Sequence, residues 1–151
     1  MLRDLLLLGH IGFAIIWIGS QIGMHVLAMR VLKASPQRQM DYIDDVEWLG
    51  NRLQGPASFM VLIFGVLLVI TDPIPAQTLF VIFGVLGWVV VMGIATQYLV
   101  RQTKQIRALA GQHGIEAPDV QAKIKTVLRV SWFESILLLL IVFNMIAKPT
   151  L

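Results

Sequence analysis

The chain is 151 residues long, a length that suits one domain, with 57% hydrophobic and only 14% charged residues, against roughly 25% charged in a typical soluble protein. A water-soluble fold this small has too much surface for its volume to hide that much apolar material, so lipid must be the solvent for much of it. The net charge of +3 comes from basic residues set between apolar segments and not from a patch with interleaved aromatics, which argues against a nucleic-acid partner, and the absence of cysteine excludes disulfides, thiol redox chemistry, Cys-ligated zinc and Fe–S clusters.

The first element is an apolar run over residues 5–29 without Lys, Arg, Asp or Glu. It is long enough to cross the hydrocarbon core, and too long for the apolar stretch of a cleaved signal peptide. His10, Ala14, Trp17, Gln21, His25 and Ala28 share one stripe of this helix at ~100° per residue. Polar groups there should face the bundle interior or an aqueous cavity and not lipid. Gly9, Gly12, Gly19 and Gly23 lie on the same helix. The Gly19-x-x-x-Gly23 spacing predicts close approach of a second helix or a flat ligand.

Residues 30–52 form a connection. Ser35-Pro36 is a helix start, and Tyr42, Val46, Leu49 and Leu53 recur with helical spacing, which predicts an amphipathic helix leading into span two at about 53–71. The prolines of Asp72-Pro73-Ile74-Pro75 make a short turn, and span three begins after them, at about 76–100. In the connection 101–129, Gly111 and Gly114 are expected to end the extension of span three, and Ala117-Pro118-Asp119 to start the next helix. Span four covers about 130–147 and is interrupted by Glu134. The expected fold is all-α, a bundle of four transmembrane helices in one membrane domain.

Arg30, Lys33, Arg38 and Arg52 lie in the first long connection, and Arg101, Lys104, Arg107, Lys123, Lys125 and Arg129 in the second; Arg3 and Lys148 stand apart. The positive-inside rule puts both connections in the cytoplasm and both termini outside, as in a multi-pass protein of a bacterial inner membrane.

His10 and His25 are 15 residues apart, roughly 22 Å along a helix, so one metal cannot bridge them. His10 is either an axial ligand of haem b, with Gly12 and Trp17 walling the group and Arg3 and Lys148 near its propionates, or an interfacial side chain. His25 is the second choice as iron ligand. With no histidine in spans two to four, a sixth ligand would come from Met145, Lys148, water or a second subunit. Glu134 is either a proton-transfer residue beside His25, the one candidate for a catalytic role, or a carboxylate paired with Arg129 or Arg101. Trp48 and Trp132 suit the membrane interface, and Trp17 and Trp88 mid-span packing.

The segment Leu8-Gly9-His10-Ile11-Gly12 with Trp17-Ile18-Gly19 resembles the first helix of the HemJ and CopD-like superfamily of small four-helix integral membrane proteins. Phe133-Glu134-Ser135, the Lys148-Pro149 ending and residues 52–56 fit the same layout. The resemblance implies haem-linked redox chemistry of the kind involved in porphyrin metabolism, with His10 as iron ligand. HemJ proteins carry a lysine early in the third helix; residues 73–100 here hold none, and the Asn144–Pro149 ending is closer to another branch of the superfamily. Three functions are therefore compatible with the sequence: a haem b-binding membrane oxidoreductase or electron carrier, a cofactor-free subunit packing as a homodimer through the first helix or in a larger membrane complex, and a small proton or metal transporter using His25, Gln21 and Glu134.

Overall fold

A computed structural model of the chain describes residues 1–72, 75 and 78–148. Among them there are helices and no strands: α1 (Leu2–Val31), α2 (Pro36–Leu49), α3 (Gly55–Thr71), α4 (Leu79–Gly93), α5 (Val100–His113) and α6 (Pro118–Ala147). Single π-turns, Gly50–Gln54 and Ile94–Leu99, join α2 to α3 and α4 to α5 without a break. Four continuous helices result, Leu2–Val31, Pro36–Thr71, Leu79–His113 and Pro118–Ala147, each long and apolar enough to cross a membrane. The turn expected at Asp72–Pro75 falls partly outside the described residues, as do Pro149 and the first residues of span three.

Local chemistry explains the helix ends. Ser35 accepts a hydrogen bond from the Arg38 backbone N–H, and Pro36 stands next to it in the first turn. Gly111 does not interrupt α5, contrary to expectation. The helix ends two residues later because Gly114 has φ 83°, which suits glycine. The stripe running from Tyr42 to Leu53 also departs from expectation. Leu53 falls inside the Gly50–Gln54 turn, where the regular helical spacing is interrupted, and it is exposed while Ile43 and Gln39 are buried.

α1 packs most closely on α3, and α4 on α6. Gly9 lets the Phe64 ring lie against α1, and Phe13 stacks on Phe64 at 5.8 Å. Gly65 leaves room for the His10 ring. In the other pair, Met145 and Ile141 of α6 fill the spaces left by Gly84 and Gly87. The pairs join in a layer with one buried residue from each long helix: Trp17, Ala57, Val91 and Leu138. Trp88 donates from Nε1 to the Ser58 carbonyl at 3.1 Å, and Phe59 meets Trp88 edge-on at 5.4 Å.

A second cluster, Ile43, Ile106, Ile115 and Val120, sits at the opposite end from the termini and ties α2, α5 and α6 together. Gln121 donates to Gln39 and to the Ile115 carbonyl, and Gln39 donates to the Ala34 carbonyl. Tyr42 donates from its hydroxyl to the Met24 carbonyl at 2.8 Å, which fixes α2 against α1. Burial pushes the Tyr42 phenol up from 10.0 to about 12. The neutral phenol is therefore the folded form, so its contribution is complete below pH 10 and lost as pH rises through 12. Tyr42→Phe should cost about 1 kcal/mol at neutral pH. In chemical unfolding at rising pH, the variant should also lose the part of the alkaline destabilisation that belongs to this phenol.

Candidate functional site

The stripe on α1 turns its middle and lower parts inward: Trp17 is 7%, Gln21 6%, His25 3% and Ala28 3% exposed. Facing them from α6 are Glu134 at 3% and Ser135 at 4%. Helical periodicity thus collects an amide, an imidazole and a carboxyl between two helices, inside a shell of apolar side chains. Burying such groups is costly unless they serve one another or a ligand.

Gln21 links the other two. Its side chain lies beside the Glu134 carboxyl, and its backbone carbonyl receives a 2.7 Å hydrogen bond from His25 Nδ1. A carbonyl oxygen can only accept, so Nδ1 carries the proton, and in the neutral ring Nε2 keeps its lone pair. His25 Nε2 is buried without a hydrogen-bond partner, and so is Gln21 Nε2. The Trp132 indole covers the imidazole, with ring centroids 4.5 Å apart. Among the described residues Glu134 forms no ion pair with Arg129 or Arg101; Arg101 is instead bound to Gln97 at 3.2 Å. Both arginines lie outside the buried layer, whereas the Glu134 side chain points into it.

His10 is half-buried, one face on Gly65 and Nδ1 2.9 Å from the Val61 carbonyl. Nδ1 is again the donor, which leaves Nε2 as the free nitrogen. This is the arrangement that an imidazole ligand to iron requires. The residues expected around it are not brought together. Arg3 is bound to Asp72 at 2.7 Å, Trp17 belongs to the four-helix layer, and Lys148 is exposed at the end of α6 in a left-handed conformation. Gly12 lies about 160° round α1 from His10, at ~100° per residue, and nothing comes within 4 Å of a Cβ placed on it. Met145 is packed on Gly84, and His113, the last residue of α5, is bound to Asp119 in the first turn of α6 at 2.8 Å. The hydrogen bond to His113 holds the Asp119 carboxyl below its ordinary value.

The residues present therefore suit one axial position of a haem. Among the described residues Met145 and His113 are engaged elsewhere, Arg3 is paired with Asp72, and no three His, Asp or Glu side chains gather as a metal site.

Among the described residues nothing lies within 4 Å of an added Cβ at Gly19 or Gly23. The close approaches fall at Gly9, Gly65, Gly84 and Gly87 instead. Two features escaped sequence reasoning. One is the role of Trp132 as a cover on His25, since its position near the start of span four suggested the interface alone. The other is the pair of π-turns, for which the sequence carries no periodic signal. Comparison with known protein families, with curated proteins and with solved structures finds no match to this chain.

Proposed function

We propose that the chain is a multi-pass protein of the bacterial cytoplasmic membrane, with both termini outside, that transfers protons at the Gln21–His25–Glu134 group as the core of a small proton-coupled transporter. The observation that carries this reading is the burial of a carboxyl and an imidazole, each 3% exposed, on facing helices long enough to cross a membrane. Ionisable groups at such a place usually belong to an ion or proton path. The unpartnered lone pair on His25 Nε2 is a proton acceptor, and the Glu134 carboxyl a donor. A proton needs no cavity, which suits a group packed this tightly. The test is infrared difference spectroscopy on protein in lipid vesicles after a pH jump. A protonated-carboxyl band that disappears in Glu134→Gln supports the reading; a wild type without such a band leaves Glu134 a structural residue.

The orientation rests on the basic residues, ten of whose twelve members lie in the two long connections. A reporter fused after the last residue should be active only in its periplasmic form. A cytoplasmic signal would invert the whole arrangement.

A second reading, a haem b-binding membrane oxidoreductase or electron carrier linked to porphyrin metabolism, is favoured by the free Nε2 of His10. Soret absorbance of protein purified from cells supplied with haem precursors should then vanish in His10→Ala and persist in His25→Ala. A wild type without the band ends that reading. The open Gly12–Gly19–Gly23 face of α1 is the place for a second copy or a larger membrane complex. A dimer through that face keeps the two His10 rings apart, because they lie on the opposite side of the helix.

A further inference from the structure

A crevice of about 320 Å³ lies where the end of α2 and the Gly50–Gln54 turn meet α5, lined by Asp44, Glu47, Trp48, Asn51, Arg52 and Arg107. Arg107 sits between two acids, 2.6 Å from Asp44 and 2.5 Å from Glu47. Two carboxylates share one guanidinium, so this wall keeps one negative charge in excess. Arg52 lines the same crevice, and among the described residues it has no ion pair. The crevice thus has a negative pole and a separate positive pole. Trp48 beside it is 63% exposed, and residue 53 begins the apolar run of span two. This is the level at which an exposed indole meets lipid headgroups.

We infer that the crevice seats the headgroup of an amine-bearing zwitterionic phospholipid, with its phosphate on Arg52 and its ammonium on Asp44 and Glu47. An ammonium has three N–H donors for carboxylates, which a trimethylated choline lacks. The phosphate takes charge-assisted hydrogen bonds from the guanidinium. A purely anionic headgroup meets Arg52 equally well but is repelled by the acidic wall. The inference rests on the proposed membrane location only for placing this level at the headgroups.

The test is native mass spectrometry of delipidated protein reconstituted into nanodiscs of phosphatidylcholine mixed with either phosphatidylethanolamine or phosphatidylglycerol. Wild type should retain phosphatidylethanolamine over phosphatidylcholine by about fivefold, the scale of one charge-assisted hydrogen bond at a half-exposed site. Arg52→Gln should lower retention of both lipids, and Asp44→Asn should remove the preference between them. Both side chains are exposed, so helix content by circular dichroism should stay unchanged. Equal retention of the two zwitterionic lipids by wild type, or stronger retention of phosphatidylglycerol, overturns the seat and leaves the membrane reading standing. Failure to enter nanodiscs at all overturns both.

Discussion

Leucine in place of Gly9 is expected to lower stability by about 1–3 kcal/mol through overpacking, while leucine in place of Gly19 leaves stability unchanged. A Cβ on Gly9 would fall 2.7 Å from Cε1 and Cζ of Phe64. That ring cannot swing aside freely, because it is stacked on Phe13. The further carbons of leucine would push α1 and α3 apart, and the His10–Val61 hydrogen bond, one residue along, would lengthen with them. At Gly19 the added side chain meets open space. There it also removes a residue with high conformational entropy from a helix interior, which offsets any small loss. Thermal unfolding of both variants in one detergent decides the matter. If Gly19→Leu is the damaging change, the glycine face of α1 is covered by another molecule, and the subunit reading gains.

The contrast between these glycines shows what one sequence can and cannot reveal. Periodicity identified the inward stripe of Trp17, Gln21, His25 and Ala28, because period 3.6 and the cost of burying polar groups in lipid both act along one helix. Which side of that helix its neighbours occupy is a property of the whole bundle. The Gly19-x-x-x-Gly23 spacing therefore indicated a contact surface without naming a partner, and among the described residues it has none. Gly9 looked no different in sequence, yet it lies under Phe64, a residue of another span. The π-turns were equally hidden. Each shifts the register of a continuous helix by about one residue, and Leu53, inside the first of them, lies exposed and off the stripe that Tyr42 and Val46 suggested. Glu134 stood out because a carboxyl in an apolar run is conspicuous, but its neighbour was not deducible. Arg129 is close in sequence on the same helix, and Gln21 comes close only once α1 and α6 are packed together.

Glu134→Gln is expected to keep the fold and to abolish proton transfer, with a fall of about 100-fold or more, the range in which a positioned acid or base contributes. Glutamine matches glutamate in shape and keeps one carbonyl oxygen beside the Gln21 side chain, so no cavity opens. What it lacks is an exchangeable acidic proton. Glu134→Ala is a different change. It removes the group beside Gln21 and leaves a void between α1 and α6, next to Ser135 at 4% exposure, so about 2–4 kcal/mol of stability should go with it. The two variants separate a chemical role from a packing role. The measurement is proton flux into vesicles containing a pH-sensitive dye, under an imposed gradient, set beside thermal unfolding of the same preparations. His25→Gln supplies the other half of the test, because it retains a polar side chain at the position and removes the titratable nitrogen. Loss of flux in both Gln variants at unchanged stability places the proton between carboxyl and imidazole. Full flux in Glu134→Gln would confine Glu134 to holding α6 against α1.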